Sequence, residues 1–220
     1  MEERIRDFFE QVLANKRLTA RYINNLSYLE YLGANAISRT YMPENVDFRL
    51  LKHYLEEARH ALLFRSIAEK IGGQGMTYAA DDLLSEKAAE FYLFRVAAMV
   101  KSELTAEWEV AVKNRLTLFY VSALLEHRAV AWYQILNSMF RAKGMPASLT
   151  PILADEDAHV DDMYSYGASI DPHFRRRIDA FKIREQNLFS RYLQDIEDAA
   201  AEVMPAWRSS REKVEAHAGL

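Results

Sequence analysis

Apolar side chains recur at three- and four-residue intervals along nearly the whole chain, the spacing that lines one face of an α-helix. No stretch of useful length alternates with the two-residue period of a strand. The pattern predicts a short amphipathic helix over residues 2–14. A second runs from about Leu18 to Thr40 and ends at the Tyr41-Met42-Pro43-Glu44-Asn45 turn. A third, from about Val46 to Ile71, stops at Gly72-Gly73, since glycine accepts the backbone that closes many helices. After a connection through Gln74–Asp82, helices are expected at about Leu84–Glu103 and Thr105–Lys143, the latter ended by Gly144-Met145-Pro146. Thr150-Pro151 and Asp171-Pro172 each pair a capping side chain with a proline at the first helical position. They open helices ending near Gly167 and Val203. The expected class is all-α, with a single helical domain over residues 1–220.

Composition narrows the function. Half of the residues are apolar and only seven are glycine and five proline, which suits long helices around a sizeable core. A formal charge of −4 and a pI near 5.9 argue against a nucleic-acid partner. The run Arg175-Arg176-Arg177 reads as a solvated helix face. There is no cysteine, which excludes disulfides, Fe–S clusters and cysteine-held zinc or iron knuckles. The amino terminus has mixed charge and no apolar signal core, and no window reaches the ~18 apolar residues a membrane span needs. A cytoplasmic protein with no membrane partner is expected.

The chemistry lies in a repeated tetrapeptide. Glu57-Ala58-Arg59-His60 and Glu156-Asp157-Ala158-His159 each place a Glu and a His three residues apart, on one helical face about a turn from each other. Each is preceded by a lone glutamate in an apolar helical run, Glu30 before the first and Glu126 before the second. Four carboxylates and two imidazoles make the ligand set of a di-iron or di-manganese centre inside a four-helix bundle. Glu30 and Glu57 stand at similar distances from the Pro43-Glu44 turn, so an antiparallel hairpin brings them level; Glu126 and Glu156 straddle the second turn less symmetrically. Glu126 follows Glu57 by 69 positions, room for a long crossover that leaves the second and third bundle helices parallel. Without cations, four inward glutamates would cost several kcal/mol each, whereas two divalent ions cancel their charge. Hard oxygen donors with one imidazole per metal favour iron or manganese over zinc.

The ordered pattern Glu, Glu-x-x-His, Glu, Glu-x-x-His over residues 18–167 resembles the ferritin-like di-iron carboxylate superfamily, which includes bacterioferritins, rubrerythrins, aldehyde-deformylating oxygenases and tRNA hydroxylases. The resemblance implies a four-helix bundle with a long crossover, plus additional N-terminal, inserted and C-terminal helices, the last over about 172–203. It implies Glu30, Glu57, His60, Glu126, Glu156 and His159 as ligands of two iron ions (or manganese, or one of each), with Glu57 and Glu156 bridging. Acids directly before each tetrapeptide, Glu56 and Asp155, would accept hydrogen bonds from ligand histidines, as in several oxygen-activating relatives. Two departures narrow the relatives. The positions one turn from Glu126 are Ala123 and Ala129, where rubrerythrin-type peroxidases carry a seventh carboxylate, and no cysteine-bound iron domain can form.

These features imply a di-iron oxidase or oxygenase that activates O2 to oxidise, hydroxylate or cleave a small organic substrate, with electrons from an external reductase or other donor. The alternatives are a ferritin- or rubrerythrin-like protein that handles iron or reduces peroxide, and a helical module whose acids are incidental. A monomer or small oligomer such as a homodimer suits the first. His53, Tyr54 and Tyr166 are candidate catalytic side chains near the site, though a packed core role competes for each; Met163 reads as core filler. His53, Tyr54, Gly33 and Ser122 are expected at one end of the site. Ile23, Leu26, Leu63, Phe64, Ala129, Val130 and Leu153 are expected at the other, where they form either an apolar cavity or ordinary core. His127 is expected at the surface.

Overall fold

The computed structural model describes residues 1–40, 46–104 and 108–204. These form seven helices, and no strand occurs among the described residues: α1 Glu2–Leu13, α2 Lys16–Thr40, α3 Phe48–Gly72, α4 Glu86–Glu103, α5 Val110–Ala142, α6 Thr150–Ile170 and α7 Phe174–Val203. Every helix read from the periodicity is present. The turn expected at residues 41–45 and the segment beyond Pro205 lie outside the described residues.

Four helices surround the interior. Ser27 on α2 donates to the Ala61 carbonyl on α3 at 2.6 Å, while Gly33, further along α2, sits beside Glu57, earlier on α3. The two helices are therefore antiparallel. Helices α5 and α6 are likewise antiparallel: Asn137 accepts from the Leu149 amide at 2.9 Å near their junction, and Phe119 stacks on Tyr166 far from it. Between α3 and α6, Arg49 pairs with Asp162 and Arg59 with Asp155, again antiparallel. It follows that α3 and α5 run in the same direction, as the long intervening segment expects. That segment is tied to the polar side of α2. Asn24 donates to the Thr77 and Asp82 carbonyls, Arg21 to Leu83, and Asn25 accepts from the Ser85 amide. Buried polar side chains near the start of α2 thus satisfy backbone groups that have no helical partner.

The remaining helices pack outside the four. Helix α1 buries Ile5, Phe8, Phe9 and Val12, a stripe at 3.6-residue spacing, with Phe9 edge-on to Trp132 of α5 at 4.9 Å. Helices α4 and α7 lean on each other and on α5. At their junction Glu185 of α7 pairs with Arg128 of α5 at 2.5 Å and accepts the Tyr92 hydroxyl of α4. A buried acid and a half-buried guanidinium satisfy each other there, which offsets part of the cost of placing charge where three helices meet.

Four boundaries differ from the sequence reading. Asp171 and Pro172 do not open α7, which begins at Phe174 with His173 at the cap position, while Asp171 closes α6. Helix α5 begins at Val110 with Glu109 at the cap position, and Thr105, where the sequence reading starts it, lies outside the described residues. Thr150 is the first helical residue instead of the cap: Leu149 holds the cap position and its amide is met by Asn137 from α5. Gly167 does not end α6, which continues to Ile170. The glycine is there for packing, because a Cβ at that position would lie 2.1 Å from the ring of Phe174, itself stacked on Tyr120.

Gly167→Ala would gain about 1 kcal/mol of helix propensity. So close a clash with a buried ring costs toward the upper end of the ~1–3 kcal/mol seen for overpacking. The expected outcome is a net loss of stability of about 1–2 kcal/mol in denaturant titration, with α7 the first element to lose amide-exchange protection.

Candidate metal centre

The helical registers bring all six predicted side chains together. Glu30 comes from α2, Glu57 and His60 from α3, Glu126 from α5, and Glu156 and His159 from α6; each is between 1 and 7% exposed. They form two groups with one member in common. Glu30, Glu57, His60 and Glu156 make one; Glu57, Glu126, His159 and His53 make the other. Within each group one donor atom per residue lies within 4.8 Å of the rest. His60 Nδ1 is 3.2 Å from Glu156 Oε1, and His159 Nδ1 is 3.3 Å from Glu57 Oε1 and 3.7 Å from Glu156 Oε2. Yet Glu57 Oε1, both Glu156 oxygens and the Nδ1 atoms of His60 and His159 make no hydrogen bond. Buried polar atoms are ordinarily paired. Here the donors are close but aim past one another, the arrangement a cation between them satisfies. The residues present could hold metal ions, and the four carboxylates match the charge of two divalent ones.

The outward nitrogens are bound crosswise. His60 of α3 donates through Nε2 to Asp155 of α6 at 3.1 Å, and His159 of α6 donates through Nε2 to Glu56 of α3 at 3.1 Å. Arg59 in turn holds Asp155, and Lys52 holds Glu56 at 3.1 Å. Each imidazole is thereby locked with Nδ1 facing inward, and the acid behind it raises its basicity. Glu56 and Asp155 thus sit where the sequence reading placed them, with the added fact that each serves the opposite helix.

Electrostatics of the metal-free protein carry the same imprint. Burial raises the Glu30 carboxyl well above its usual range, and the nearby Glu57 and Glu156 charges raise it further. Burial also pushes Glu57 upward, but contacts with His159 and His53 outweigh it and hold that carboxyl low. His159 is disfavoured as a cation by burial, yet Glu156 and Glu57 lift it to about 10; His60 is lifted in the same manner. Burial thus favours the neutral form of Glu30, and the facing carboxylates favour the cationic forms of His60 and His159.

The candidate catalytic side chains separate. His53 joins the second group: its Nε2 lies 3.2 Å from both Glu57 Oε1 and Glu126 Oε1. Tyr54 is half-buried and packs against the apolar core. Tyr166 is directed elsewhere; its hydroxyl donates to Asp47, the cap of α3, at 2.7 and 2.6 Å. His127 is half-buried rather than at the surface, and its Nε2 bonds the Tyr164 hydroxyl at 3.2 Å. Met163 is buried, as expected. Sequence reasoning missed Tyr133, whose buried hydroxyl donates to Glu30 Oε1. It stands seven residues after Glu126, two turns along the same face, and that spacing was the available signal.

A cavity of about 600 Å³ opens onto the centre between α2, α4, α5 and α7. Glu30, Glu57, Glu126 and His53 form part of its lining, and the other walls are largely apolar, among them Leu26, Leu29, Leu93, Leu118, Ala129 and Phe189. Gly33 keeps it clear beside Glu57: a Cβ there would lie 3.1 Å from Glu57 Oε2. The lining draws on both ends of the site, so the cavity runs alongside the centre rather than at one end. Ile23, Leu63, Phe64, Val130 and Leu153 do not line it.

Two outcomes are expected. Asp155→Asn or Glu56→Gln, which keep shape but weaken the charge behind an imidazole, should reduce metal affinity by about 10–100-fold in competition titrations with a chelator. Metal must also displace protons from His60 and His159. With His159 raised from 6.5 to about 10, its stabilising effect on the metal-free protein is complete below 6.5 and lost as pH rises toward 10. Melting temperatures over that range should fall for the metal-free protein while metal affinity climbs. Comparison of the chain with protein-family models, curated proteins and solved structures finds no match, so the site is read from its own geometry.

Proposed function

We propose that the chain is an O2-dependent, non-haem di-iron oxidoreductase of the ferritin-like type, acting on a small, largely apolar organic molecule. The observation that carries this reading is the convergence of unpaired buried donors on two points sharing Glu57, with a cavity beside them. Iron, when bound, would supply the reduction of O2 and the oxidation, hydroxylation or cleavage of the substrate. Every other role belongs to the chain. Glu30, Glu57, His60, Glu126, Glu156 and His159 hold the ions. Glu56 and Asp155 fix two imidazoles, and Tyr133 orients Glu30. The apolar walls exclude bulk water from the reacting groups. Antiparallel α2–α3 and α5–α6 pairs with parallel α3 and α5 support the ferritin-like assignment. Electrons come from a separate donor, since the sequence carries no flavin or Fe–S motif.

Protein purified without chelators is expected to contain close to two iron or manganese ions per chain, and reduced, iron-loaded protein to consume O2 catalytically with a reductant. His60→Ala or Glu156→Ala should abolish loading of at least one ion. Full loading of these variants contradicts the ligand assignment. A large hollow shell in light scattering, with iron uptake but no cavity-dependent turnover, favours the iron-handling alternative.

A further inference from the structure

Three imidazoles reach the centre, where two were expected from the repeated tetrapeptide. We infer that His53 is a seventh metal ligand, giving the ion beside Glu126 two imidazoles and making the two positions chemically unequal. This rests on the dimetal reading above. The donors of the second position are mutually spaced as one ion requires: His53 Nε2 lies 3.2 Å from Glu57 Oε1 and from Glu126 Oε1, and His159 Nδ1 lies 3.3 Å from Glu57 Oε1 and 3.9 Å from Glu126 Oε1. Neighbouring ligands on an ion with bonds of about 2.0–2.2 Å stand roughly 3–3.5 Å apart. His53 Nε2 hydrogen-bonds Glu126 Oε1 at 3.2 Å, but that bond leaves the equally near Glu57 Oε1 with no hydrogen bond, whereas one ion would engage all three atoms.

The donor counts then differ. One position offers carboxylates of Glu30, Glu57 and Glu156 with the single imidazole of His60; the other offers Glu57 and Glu126 with His53 and His159. Nitrogen donors favour iron, whereas oxygen donors suit manganese. The position built around His53 is the iron-preferring one, and the position built around Glu30 tolerates manganese. His53 is also the most weakly held of the three imidazoles: among the described residues no acid pairs with its Nδ1, which makes no hydrogen bond. It lines the cavity, so a ligand arriving there meets it first.

The test is anomalous diffraction from crystals of wild-type protein loaded anaerobically with equal Fe(II) and Mn(II), measured at both absorption edges. The expected result is an ion about 2.0–2.3 Å from His53 Nε2, with an iron-to-manganese ratio higher there than at the Glu30 position. In titrations, His53→Ala and His53→Gln should bind one of the two ions about tenfold or more weakly and the other normally. Two ions with His53 Nε2 beyond bonding distance, or equal metal ratios at both positions, overturn the inference while leaving the dimetal reading intact. Absence of any metal in the wild type overturns the reading itself.

Discussion

Four carboxylates held together in a protein interior constrain everything around them. Coulomb repulsion among charges a few ångströms apart, added to the loss of hydration, makes such a cluster intolerable without compensating positive charge. The carboxylates accordingly favour the cationic forms of His159 and His60, and burial favours a neutral Glu30. The compensation is incomplete, since Glu57 Oε1, both Glu156 oxygens and the Nδ1 atoms of His60 and His159 make no hydrogen bond. The interior is therefore organised toward cations.

That organisation is enforced from outside the cluster. Helices α3 and α6 exchange acids: Glu56 reaches the imidazole of one, Asp155 that of the other, and Lys52 and Arg59 hold the acids in turn. The arrangement has an approximate twofold character that follows from two copies of the pattern acid-Glu-x-x-His on antiparallel helices. Crossing the pairs also couples the spacing of the helices to the orientation of the imidazoles, so neither α3 nor α6 can shift without disturbing both. His53, which has no counterpart on α6, breaks this symmetry, as does Tyr133 on Glu30 alone.

Helices α4 and α7 contribute none of the clustered Glu and His side chains. With α2 and α5 they enclose a cavity that reaches Glu30, Glu57 and Glu126. The pairing of Arg128, which itself lines the cavity, with Glu185, reinforced by Tyr92, fixes these outer helices to α5 with charged groups that satisfy each other. Alanine and glycine at positions 129 and 33 keep the space open where larger residues would close it. The buried centre thus borders an open space of about 600 Å³.

Helix number and type, the six converging side chains and their acid partners were legible in the chain because each depends on local periodicity. A three-residue spacing on a helix has one geometric meaning, and an apolar stripe has one buried face. What only tertiary structure decided were relations between helices. Glu56 and Asp155 serve opposite partners because α3 and α6 are antiparallel. Gly167 continues a helix because Phe174, from the next element, occupies the place of its side chain. Tyr133 meets Glu30, Tyr166 turns to Asp47, and His53 falls within reach of Glu126. Those contacts depend on the angles and offsets at which whole helices pack, quantities summed over many side chains and therefore invisible in the spacing of any few.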